Sequence, residues 1–460
     1  MRISALIDRP VLLLGAGREG LAAARLLVAR GHQAPLWVTG DQCPAAQADL
    51  PGLQPSAPED LARVLRERPV VVRSPGFAPH HPLRQQIDAA GLEQTTGTCL
   101  MLAELRAAGL TVIGVTASKG KSTTSSLLLH TLLHSGVPAR LLGNIGLPAL
   151  AELDAVLETR PVVVLELSSY QCDDLQPGLG PQTAVFGPLF PEHLDWHGSL
   201  AAYYRAKTRL ISALPPGGVA LAHVAARDTL AALSLQTPFE RQDISVEWVQ
   251  DDGRRIGLHA DAVGLHDGST LLVPSATLRL RGQHNRENAC LAFAGARRAG
   301  ATVAGLTRAL AEFDGLPYRL QDEGVIAGIG WINDSISTAP EAACAALEAF
   351  QGRVGTLLVG GQDRGYDYRP LLAALHRWQV QHVIVLPDSG AALAALCVPP
   401  QPFTLHQAGN LAQAVALSAQ LTPRGGLCLF SPAAPSYHLW SGFEARGAEF
   451  RQHVQALTDG

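Results

Sequence analysis

The strongest constraint on the fold is a short apolar run that ends in a glycine-rich turn near the start of the chain. Val11–Leu14 is followed by Gly15–Gly20, which reads Gly-x-Gly-x-x-Gly, and then by an Ala- and Leu-rich helical stretch. A strand, a glycine turn and a helix in this order begin a doubly wound α/β domain whose turn approaches a pyrophosphate. The acidic residue of a dinucleotide site is poorly matched by Asp41. The turn therefore indicates a pyrophosphate site more than it indicates NAD.

Further apolar runs alternate with helical stretches along the whole chain of 460 residues. At about 100–200 residues per domain, this length predicts three α/β domains. We place a Rossmann-like domain at residues 1–100 and a central domain, with a parallel sheet like that of P-loop ATPases, at 101–314. A second Rossmann-like domain follows at 315–460. Short alternating strands between about 240 and 282 predict an antiparallel annex to the central sheet.

Composition and charge exclude several classes of function. The net charge is -4, so there is no basic field to hold nucleic acid or an anionic membrane. The 7 cysteines include no Cys-x-x-Cys pair, which argues against a zinc site and suits free thiols in a reducing compartment. No apolar stretch is long enough to cross a bilayer. We therefore expect a cytoplasmic protein, and a monomer, that acts on small molecules.

A phosphate-binding loop is predicted between the strand at Leu110–Val115 and the helix that follows. Its sequence is Ala-Ser-Lys-Gly-Lys-Ser, from Ala117 to Ser122. Backbone N–H groups of such a loop and the helix N-terminus bind phosphates, a lysine reaches the β- and γ-phosphates, and a serine binds Mg²⁺. The strict Walker spacing is not met, because Gly114 lies one residue early. The predicted nucleotide contacts are Ser118, Lys119, Gly120, Lys121, Ser122 and Thr123.

A set of short motifs occurs in a fixed order over almost the whole chain. They are Gly143–Gly146, Leu165–Gln171, Glu192–His197, Tyr204–Lys207, Gly282–Asn288, Gly315–Arg319, Asn333–Ser335 and Phe443–Gly447. Together they resemble the signature set of the Mur ligases. The resemblance is greatest to the glutamate-adding branch of that family. It implies an ATP-dependent ligase of peptidoglycan precursor synthesis that forms an amide bond through an acyl phosphate. It implies that the substrates are UDP-N-acetylmuramoyl-L-alanine and glutamate.

The resemblance also implies roles for single residues. Lys121, His193 and Lys207 would be catalytic, and Lys207 matches the lysine that Mur ligases carry as a carbamate. Mg²⁺ would be held by Ser122, Glu166, His193 and Lys207. The nucleotide would also contact Asn285, Asn288, Arg319 and Asp334. The substrate contacts would be Arg18, Ser74, Gly76, Asn144, Ser169, Gln171, Thr338, Arg364, Ser436 and Phe443.

The amino-acid pocket departs from the usual pattern of the branch. Ile336 stands where the pattern has a lysine, and Arg364 stands where a lysine often binds the glutamate side chain. Arginine binds carboxylates in a bidentate fork and is not a neutral replacement for lysine. With Gly-Arg-Glu-Gly in the first turn, these departures resemble a variant subfamily that adds L-glutamate. We therefore favour L-glutamate, with D-glutamate as the alternative.

Three other functions compete with this interpretation. A folylpolyglutamate-type ligase would lack the N-terminal nucleotide domain that the Gly15 turn and Ser74–Gly76 indicate. An NAD-dependent oxidoreductase would leave Lys121 and Glu166 without a role. An inactive relative would fit Ala117, Lys119 and Ile336, which depart from the pattern, but not the intact Lys121, Glu166, His193 and Lys207.

Overall fold

The structure, a computed structural model, describes residues 1–40, 50, 52–145, 148–233, 238–250, 257–280, 282–363, 366–398, 400–436 and 439–457. The chain divides into two compact units, Met1–Phe313 and Asp314–Gly460. The first unit contains two parallel sheets and a small antiparallel sheet, and the second unit contains one sheet in which most pairs are parallel. The predicted mixed α/β fold is confirmed. The further division of the first unit at residue 100 stays a prediction, and that position falls inside a helix.

The first unit begins with a five-stranded sheet whose paired strands all run parallel. Its elements are β1 (Val11–Leu14), α1 (Arg18–Ala29), β2 (Leu36–Thr39), β3 (Leu53–Pro55), α2 (Leu61–Arg66), β4 (Val70–Arg73), α3 (Pro82–Ala89), β5 (Gln94–Thr96) and α4 (Gly97–Ala107). The strand order is β3-β2-β1-β4-β5. Strands β1, β2 and β4 are buried along their whole length, as expected for a parallel sheet covered on both faces.

A six-stranded parallel sheet follows, in the order β11-β10-β9-β6-β8-β7. Its elements are β6 (Val112–Thr116), α5 (Lys121–His134), β7 (Ala139–Gly143), α6 (Leu153–Thr159), β8 (Val162–Glu166), α7 (Ser169–Cys172), β9 (Thr183–Phe186), α8 (Leu194–His197), α9 (Leu200–Ser212), β10 (Val219–His223), α10 (Val224–Ala232) and β11 (Ser245–Val249). Strands β6 and β8 are neighbours. The residues that follow them therefore meet at one edge of the sheet.

The antiparallel annex consists of β12 (Leu258–Ala260), β13 (Gly264–Asp267) and β14 (Thr270–Pro274). The helices α11 (Gln283–Arg298) and α12 (Val303–Glu312) complete the unit. The annex is smaller than the predicted range of 240–282. Strand β11 lies in that range, but it pairs parallel with β10, from Val219 opposite Ser245 to His223 opposite Val249. It is therefore the edge strand of the central sheet.

The second unit has a six-stranded sheet in the order β15-β16-β20-β17-β18-β19. Its elements are β15 (Gln321–Ile326), β16 (Ile329–Asn333), α13 (Pro340–Phe350), β17 (Val354–Gly361), α14 (Arg369–Arg377), β18 (His382–Asp388), α15 (Ser389–Leu396), β19 (Thr404–Gln407), α16 (Leu411–Leu421), β20 (Leu427–Phe430) and α17 (Phe443–Ala456). Only the β15–β16 pair is antiparallel among the described pairs. The carboxyl ends of β16, β17 and β20 therefore share one edge.

Candidate active site

The predicted phosphate loop connects β6 to α5 and is held tightly by its surroundings. Gly120 has a φ of +77°, and a side chain there would overlap the Asn288 amide on α11. The buried Ser118 donates its backbone N–H to Pro188 O at 3.0 Å, and its hydroxyl lies 2.8 Å from the Tyr203 hydroxyl. Lys121 and Ser122 begin α5 and are half-buried. The first turn of the helix therefore presents a cation, a hydroxyl and unpaired backbone N–H groups to an anion.

Glu166 ends β8 beside this loop, and its side chain is fully buried. Ser122 Oγ donates to Glu166 Oε1 at 3.2 Å, and Asn144 Nδ2 donates to the same oxygen at 2.9 Å. Ser125 Oγ donates to Oε2 at 2.9 Å. These hydrogen bonds fix a carboxylate at the N-terminus of α5, where a phosphate and its metal ion would lie.

Lys207, on α9, is also buried against the phosphate loop, with 2% of its surface exposed. Its Nζ donates to Ala117 O at 2.8 Å and lies 3.5 Å from Thr116 Oγ1 and 5.1 Å from the centre of the Tyr203 ring. Burial, together with the nearby positive charge of Lys121, lowers the pKa of Lys207 to about 7. The Lys207 side chain can therefore be an uncharged amine near neutral pH.

A cluster of aromatic rings surrounds the predicted histidine. His193 has a φ of +54°, its side chain is exposed, and its Nδ1 lies 3.0 Å from the Tyr170 hydroxyl. The Tyr170 ring stacks on Trp196 at a centroid distance of 4.5 Å. His197 Nε2 lies 3.0 Å from Ser169 Oγ. The two histidines of the Glu192–His197 motif are thus tied to the segment that follows Glu166.

At the first sheet, the glycine turn after β1 packs on the end of β4. Ser74 donates its backbone N–H to Leu14 O at 2.9 Å, and its buried hydroxyl has no hydrogen-bond partner among the described residues. Gly15 has a φ of +110°, and a side chain on Gly20 would overlap Gly15 O. Gly76 has open space where a side chain would be. The turn therefore has the close packing that the glycines of a pyrophosphate-binding turn provide.

The predicted substrate residue Gln171 lies between this turn and the central sheet. Its Nε2 donates to Glu19 Oε1 at 3.0 Å, and its Oε1 accepts from the backbone of Ser168, which caps α7. Burial raises the pKa of Glu19 above its usual value. The acidic residue of the Gly-Arg-Glu-Gly turn therefore orients Gln171. The side chain of Arg18 and all of Asp41 lie outside the described part of the chain.

On α11, Asn285 and Asn288 face the helix α5. Thr124 Oγ1 donates to Asn288 Oδ1 at 3.3 Å, and Asn288 Nδ2 lies 3.5 Å from Asn285 Oδ1. Since the Asn288 side chain also packs on Gly120, this predicted nucleotide contact joins α11 to both α5 and the phosphate loop.

In the second unit, Asp334 follows β16 and is almost fully buried. It accepts from Ser431 Oγ at 2.7 Å and from the backbone N–H of Leu320 at 3.2 Å. Burial raises the pKa of Asp334 to about 6, although these hydrogen bonds and the Arg319 charge favour the ionised form. Arg319 itself is exposed.

The predicted amino-acid residues lie on loops at the carboxyl edge of this sheet. Thr338 is exposed after β16, Ser436 is buried after β20, and Phe443 begins α17. Phe443 O accepts a hydrogen bond of 2.8 Å from the buried Ser335. Arg364 lies outside the described residues, so the predicted carboxylate clamp stays a prediction.

Comparison with known proteins decides the family. A model of the Mur ligase middle domain matches residues 115–296. The chain is 38% identical over 465 residues to the UDP-N-acetylmuramoyl-L-alanine–L-glutamate ligase of Xanthomonas axonopodis pv. citri, and the match covers 98% of this chain and 96% of the relative. The chain belongs to the Mur ligase family.

One further relative of this Mur ligase supports the assignment, and a solved structure has the same fold. The enzyme of the same name from Salinispora tropica is 38% identical over 464 residues, which cover 99% of each chain. The crystal structure of MurF ligase from Thermotoga maritima in complex with ADP matches the fold with a TM-score of 0.56 at 14% identity. It covers 99% of this chain and 97% of that chain. The resemblance inferred from the motifs is thereby confirmed.

The fit of Mg²⁺ to this Mur ligase can be judged from the oxygen atoms at Glu166. Mg²⁺ binds oxygen ligands at about 2.1 Å in octahedral geometry, so neighbouring ligands lie about 3 Å apart. Ser122 Oγ and Glu166 Oε1 have nearly this separation. Among the described residues, no three His, Cys, Asp or Glu side chains form a complete metal site. The residues therefore fit a Mg²⁺ ion whose coordination is completed by phosphate oxygens and water.

Two residues of the site, Tyr203 and Glu19, were not predicted from the sequence to have a role. Tyr203 contacts both Ser118 and Lys207, and it lies four positions before Lys207 on the same face of α9. Glu19 was noted only as part of a motif, although it holds Gln171. Spacing on α9 could have indicated Tyr203. The Glu19 contact joins residues 152 positions apart, and no local pattern indicates it.

Proposed function

We propose that this Mur ligase joins L-glutamate to UDP-N-acetylmuramoyl-L-alanine with hydrolysis of ATP to ADP and phosphate, in the synthesis of peptidoglycan precursors. The main support is the 38% identity, over 98% of the chain, to an enzyme named for that reaction with L-glutamate. The ADP bound by the T. maritima ligase, which has the same fold, supports ATP as the nucleotide.

We assign the substrates to three regions of the chain. Residues 1–100 would bind the UDP-sugar, through the Gly15 turn, Arg18, Ser74 and Gly76. Residues 101–314 would bind ATP and metal, and Asn144, Ser169 and Gln171 would contact the muramoyl-alanine end. Residues 315–460 would bind glutamate and the adenosine end, through Arg319, Asp334, Thr338, Arg364, Ser436 and Phe443. For Ser74, Asn144, Ser169, Asp334 and Ser436 the support is their position after strands, where ligands of open α/β sheets bind. For the other residues the support is the resemblance of their motifs to those of the Mur ligases.

The first step would form an acyl phosphate. The alanine carboxylate attacks the γ-phosphorus of ATP, the bond to the β-phosphate oxygen breaks, and ADP leaves. The phosphate loop and Lys121 would hold the phosphate chain and offset the negative charge that concentrates at the transferred group. The glutamate amine then attacks the acyl carbon, loses a proton, and displaces inorganic phosphate to leave the amide.

Mg²⁺ would be held by Ser122, Glu166 and His193, and when bound it would neutralise charge on the transferring phosphoryl group. We further propose that Lys207 carries a carbamate. An ammonium group buried as deeply as Lys207, with hydrogen bonds to two neutral oxygen atoms, is unfavourable. Carbon-13 NMR after incubation with labelled CO2 should give a carbamate signal that Lys207→Met abolishes. A spectrum identical for both proteins would reject the carbamate.

The experiment that tests the function is phosphate release from ATP with UDP-N-acetylmuramoyl-L-alanine and Mg²⁺, with L-glutamate and D-glutamate compared. Turnover with L-glutamate alone supports the proposal. Turnover with D-glutamate alone would keep the ligase reaction but reject the L-specific pocket. No release with either amino acid would reject the proposed function.

The setting of the reaction is proposed from two observations. The described cysteines are free thiols, which suits a reducing cytoplasm, and we propose a monomer that uses no nucleic acid or membrane. Within the described part of the chain, no helix has the length and apolar character needed to span a membrane.

A further inference from the structure

Arg446 is one of the largest fully buried side chains of the molecule, and no role has been given to it above. It lies in the first turn of α17, and none of its surface is exposed. Burial lowers its pKa to about 9. A guanidinium group is costly to bury unless its donors are used, so its hydrogen bonds indicate what it does.

Those hydrogen bonds join two loops of the second unit. The first, here called the 334–339 loop, connects β16 to α13, and the second, the 431–436 loop, follows β20. Arg446 Nη2 donates to Ser335 O at 2.8 Å and Nε donates to Ser335 Oγ at 3.2 Å. Nη1 donates to Ala434 O at 2.9 Å. One planar group therefore sets the spacing between the two loops.

A third strand end and the start of α17 are fixed at the same place. A side chain on Gly361, at the end of β17, would overlap Pro435 O and lie 2.8 Å from Arg446 Nη1. Ser335 Oγ donates to Phe443 O at 2.8 Å, and Asn333 Nδ2 donates to Gly447 O at 2.9 Å. The ends of β16, β17 and β20 thus meet around the guanidinium group.

We infer that Arg446 is a positioning residue that holds the 334–339 and 431–436 loops in the arrangement needed to receive the amino acid and the adenosine end of ATP. As regards these ligands, the inference rests on the proposed function. The loops carry Asp334, Thr338 and Ser436, while Phe443 is held through Ser335. Because its partners include two backbone carbonyl groups, Arg446 determines where the pocket residues lie without contacting substrate itself.

The first test measures the loops directly and needs no turnover. In Arg446→Met, hydrogen–deuterium exchange should become at least about ten-fold faster in both loops, because hydrogen bonds to a charged donor are lost at each. The amides of Ser337 and Gln362, bonded to Asp334 O and Pro435 O, are suitable reporters. Equal exchange in the wild type and the variant would overturn the inference.

Arg451→Met is the matched control. Arg451 lies on the same helix and is bonded to Glu323 at 2.8 Å, on the β15 side of the sheet. Its loss should lower stability without changing exchange in the two loops. Faster exchange in both loops in this control as well would mean that any weakening of α17 has the same effect, and would also overturn the inference.

The second test is kinetic. The KM for glutamate should rise at least about ten-fold in Arg446→Met, with the KM for the UDP-sugar within about two-fold of the wild type. Arg446→Lys, which keeps the charge but cannot bond to both loops in the same way, should be intermediate. An unchanged KM for glutamate in the folded variant, or an equal rise in both KM values, would overturn the inference.

Two further measures allow the inference to be tested if the first variant does not fold or if the proposed function is wrong. Should Arg446→Met not fold, Ser335→Ala removes the hydroxyl that links Arg446 Nε to Phe443 O, and the same exchange and KM changes are expected on a smaller scale. Should the wild type not use glutamate, the proposed function fails, while the exchange comparison still decides whether Arg446 holds the loops.

Discussion

Among the residues that the structure describes, three donate hydrogen bonds to Glu166 and none of them is charged, although the Glu166 side chain is fully buried. A buried carboxylate is costly unless further interactions offset the charge, and the metal ion inferred at this place would supply them. We therefore predict that Glu166→Gln lowers phosphate release at least about 100-fold, and that more Mg²⁺ is needed for half-maximal rate. Release measured over a range of Mg²⁺ concentrations checks this.

Ser125→Ala is the control for that variant, since Ser125 donates to the same carboxylate but is not among the proposed ligands. The loss of one hydrogen bond of about 1 kcal/mol should change the rate less than ten-fold. A rate for Glu166→Gln close to that of the control would contradict the metal role.

Asp334 gives the second unit a specific dependence on pH. Burial raises its pKa to about 6. The protonated Asp334 therefore contributes fully to stability below the pKa that this residue has in the unfolded chain. This contribution is lost as pH rises through about 6. The difference corresponds to roughly 3 kcal/mol. We compare the free energy of unfolding of Asp334→Asn with that of the wild type. We predict that the difference favours the variant more at pH 8 than at pH 4, by up to about this amount.

Calorimetric unfolding of both proteins across this pH range measures the difference. The amide also changes the hydrogen bonds of residue 334, but this effect is the same at every pH and does not alter the pH dependence. A constant difference between the two proteins would show that Asp334 titrates normally. The variant should also bind ATP more weakly, since Asp334 is a proposed contact of the adenosine end.

Single residues were predictable from the sequence where a role follows from a position after a strand. Lys121 and Ser122 belong to one motif, and Asn144 and Glu166 belong to two others. The structure brings Ser122 and Asn144 within hydrogen-bond distance of Glu166. Tertiary contacts such as Gln171 with Glu19 were not predictable, because they depend on how two sheets pack. The buried role of Arg446 could not be derived either, since an arginine near a chain end is usually exposed.

At the scale of elements, the phosphate loop and α11 depend on each other through Gly120. A side chain at this position would overlap the Asn288 amide, and the φ of +77° adds strain. We predict that Gly120→Ala raises the KM for ATP at least about ten-fold, because the loop has to move away from α11. Initial rates at varied ATP concentration provide the measurement.

Gly136, just beyond the other end of α5, is the matched control, with a φ of +76° and no atom near the position of an added side chain. Gly136→Ala should carry the same backbone strain of roughly 1–2 kcal/mol, yet leave the KM for ATP unchanged. A similar KM in both variants would mean that contact with Asn288 has no part in binding ATP.

Element types were largely predictable because the parallel strands are continuous apolar runs, as with Val11–Leu14 and Leu427–Phe430, whose bounds agree with the structure. Strand β11 was misassigned to the annex, since its sequence, Ser-Val-Glu-Trp-Val, alternates as an antiparallel strand does. It is an edge strand of a parallel sheet, and its three middle residues are half-buried. Alternation in the sequence therefore does not distinguish the two kinds of pairing.

At the scale of the whole molecule, the first unit is held together partly by a buried ion pair. Arg73, at the end of β4, pairs with Asp174 beyond α7, and each side chain is only 8% exposed. Removing one partner leaves the other charge buried, so Asp174→Leu should lower the free energy of unfolding by about 3–5 kcal/mol. The double variant Arg73→Met with Asp174→Leu should recover most of this loss.

Calorimetry of the single and double variants measures the coupling. The exposed pair of Arg9 and Glu93 is the comparison, and Glu93→Gln should change stability by less than about 1 kcal/mol. Equal effects at the buried and exposed pairs would contradict the proposed importance of burial.

Two of the acceptors of Arg446 are main-chain carbonyl groups, and this affects how the pocket can evolve. Every amino acid supplies a carbonyl oxygen. These main-chain hydrogen bonds therefore do not depend on which side chains the two loops carry. A change such as Ile336→Lys can occur while the two main-chain hydrogen bonds of Arg446 stay the same. New amino-acid preferences can therefore arise by substitutions that leave the spacing of the loops in place.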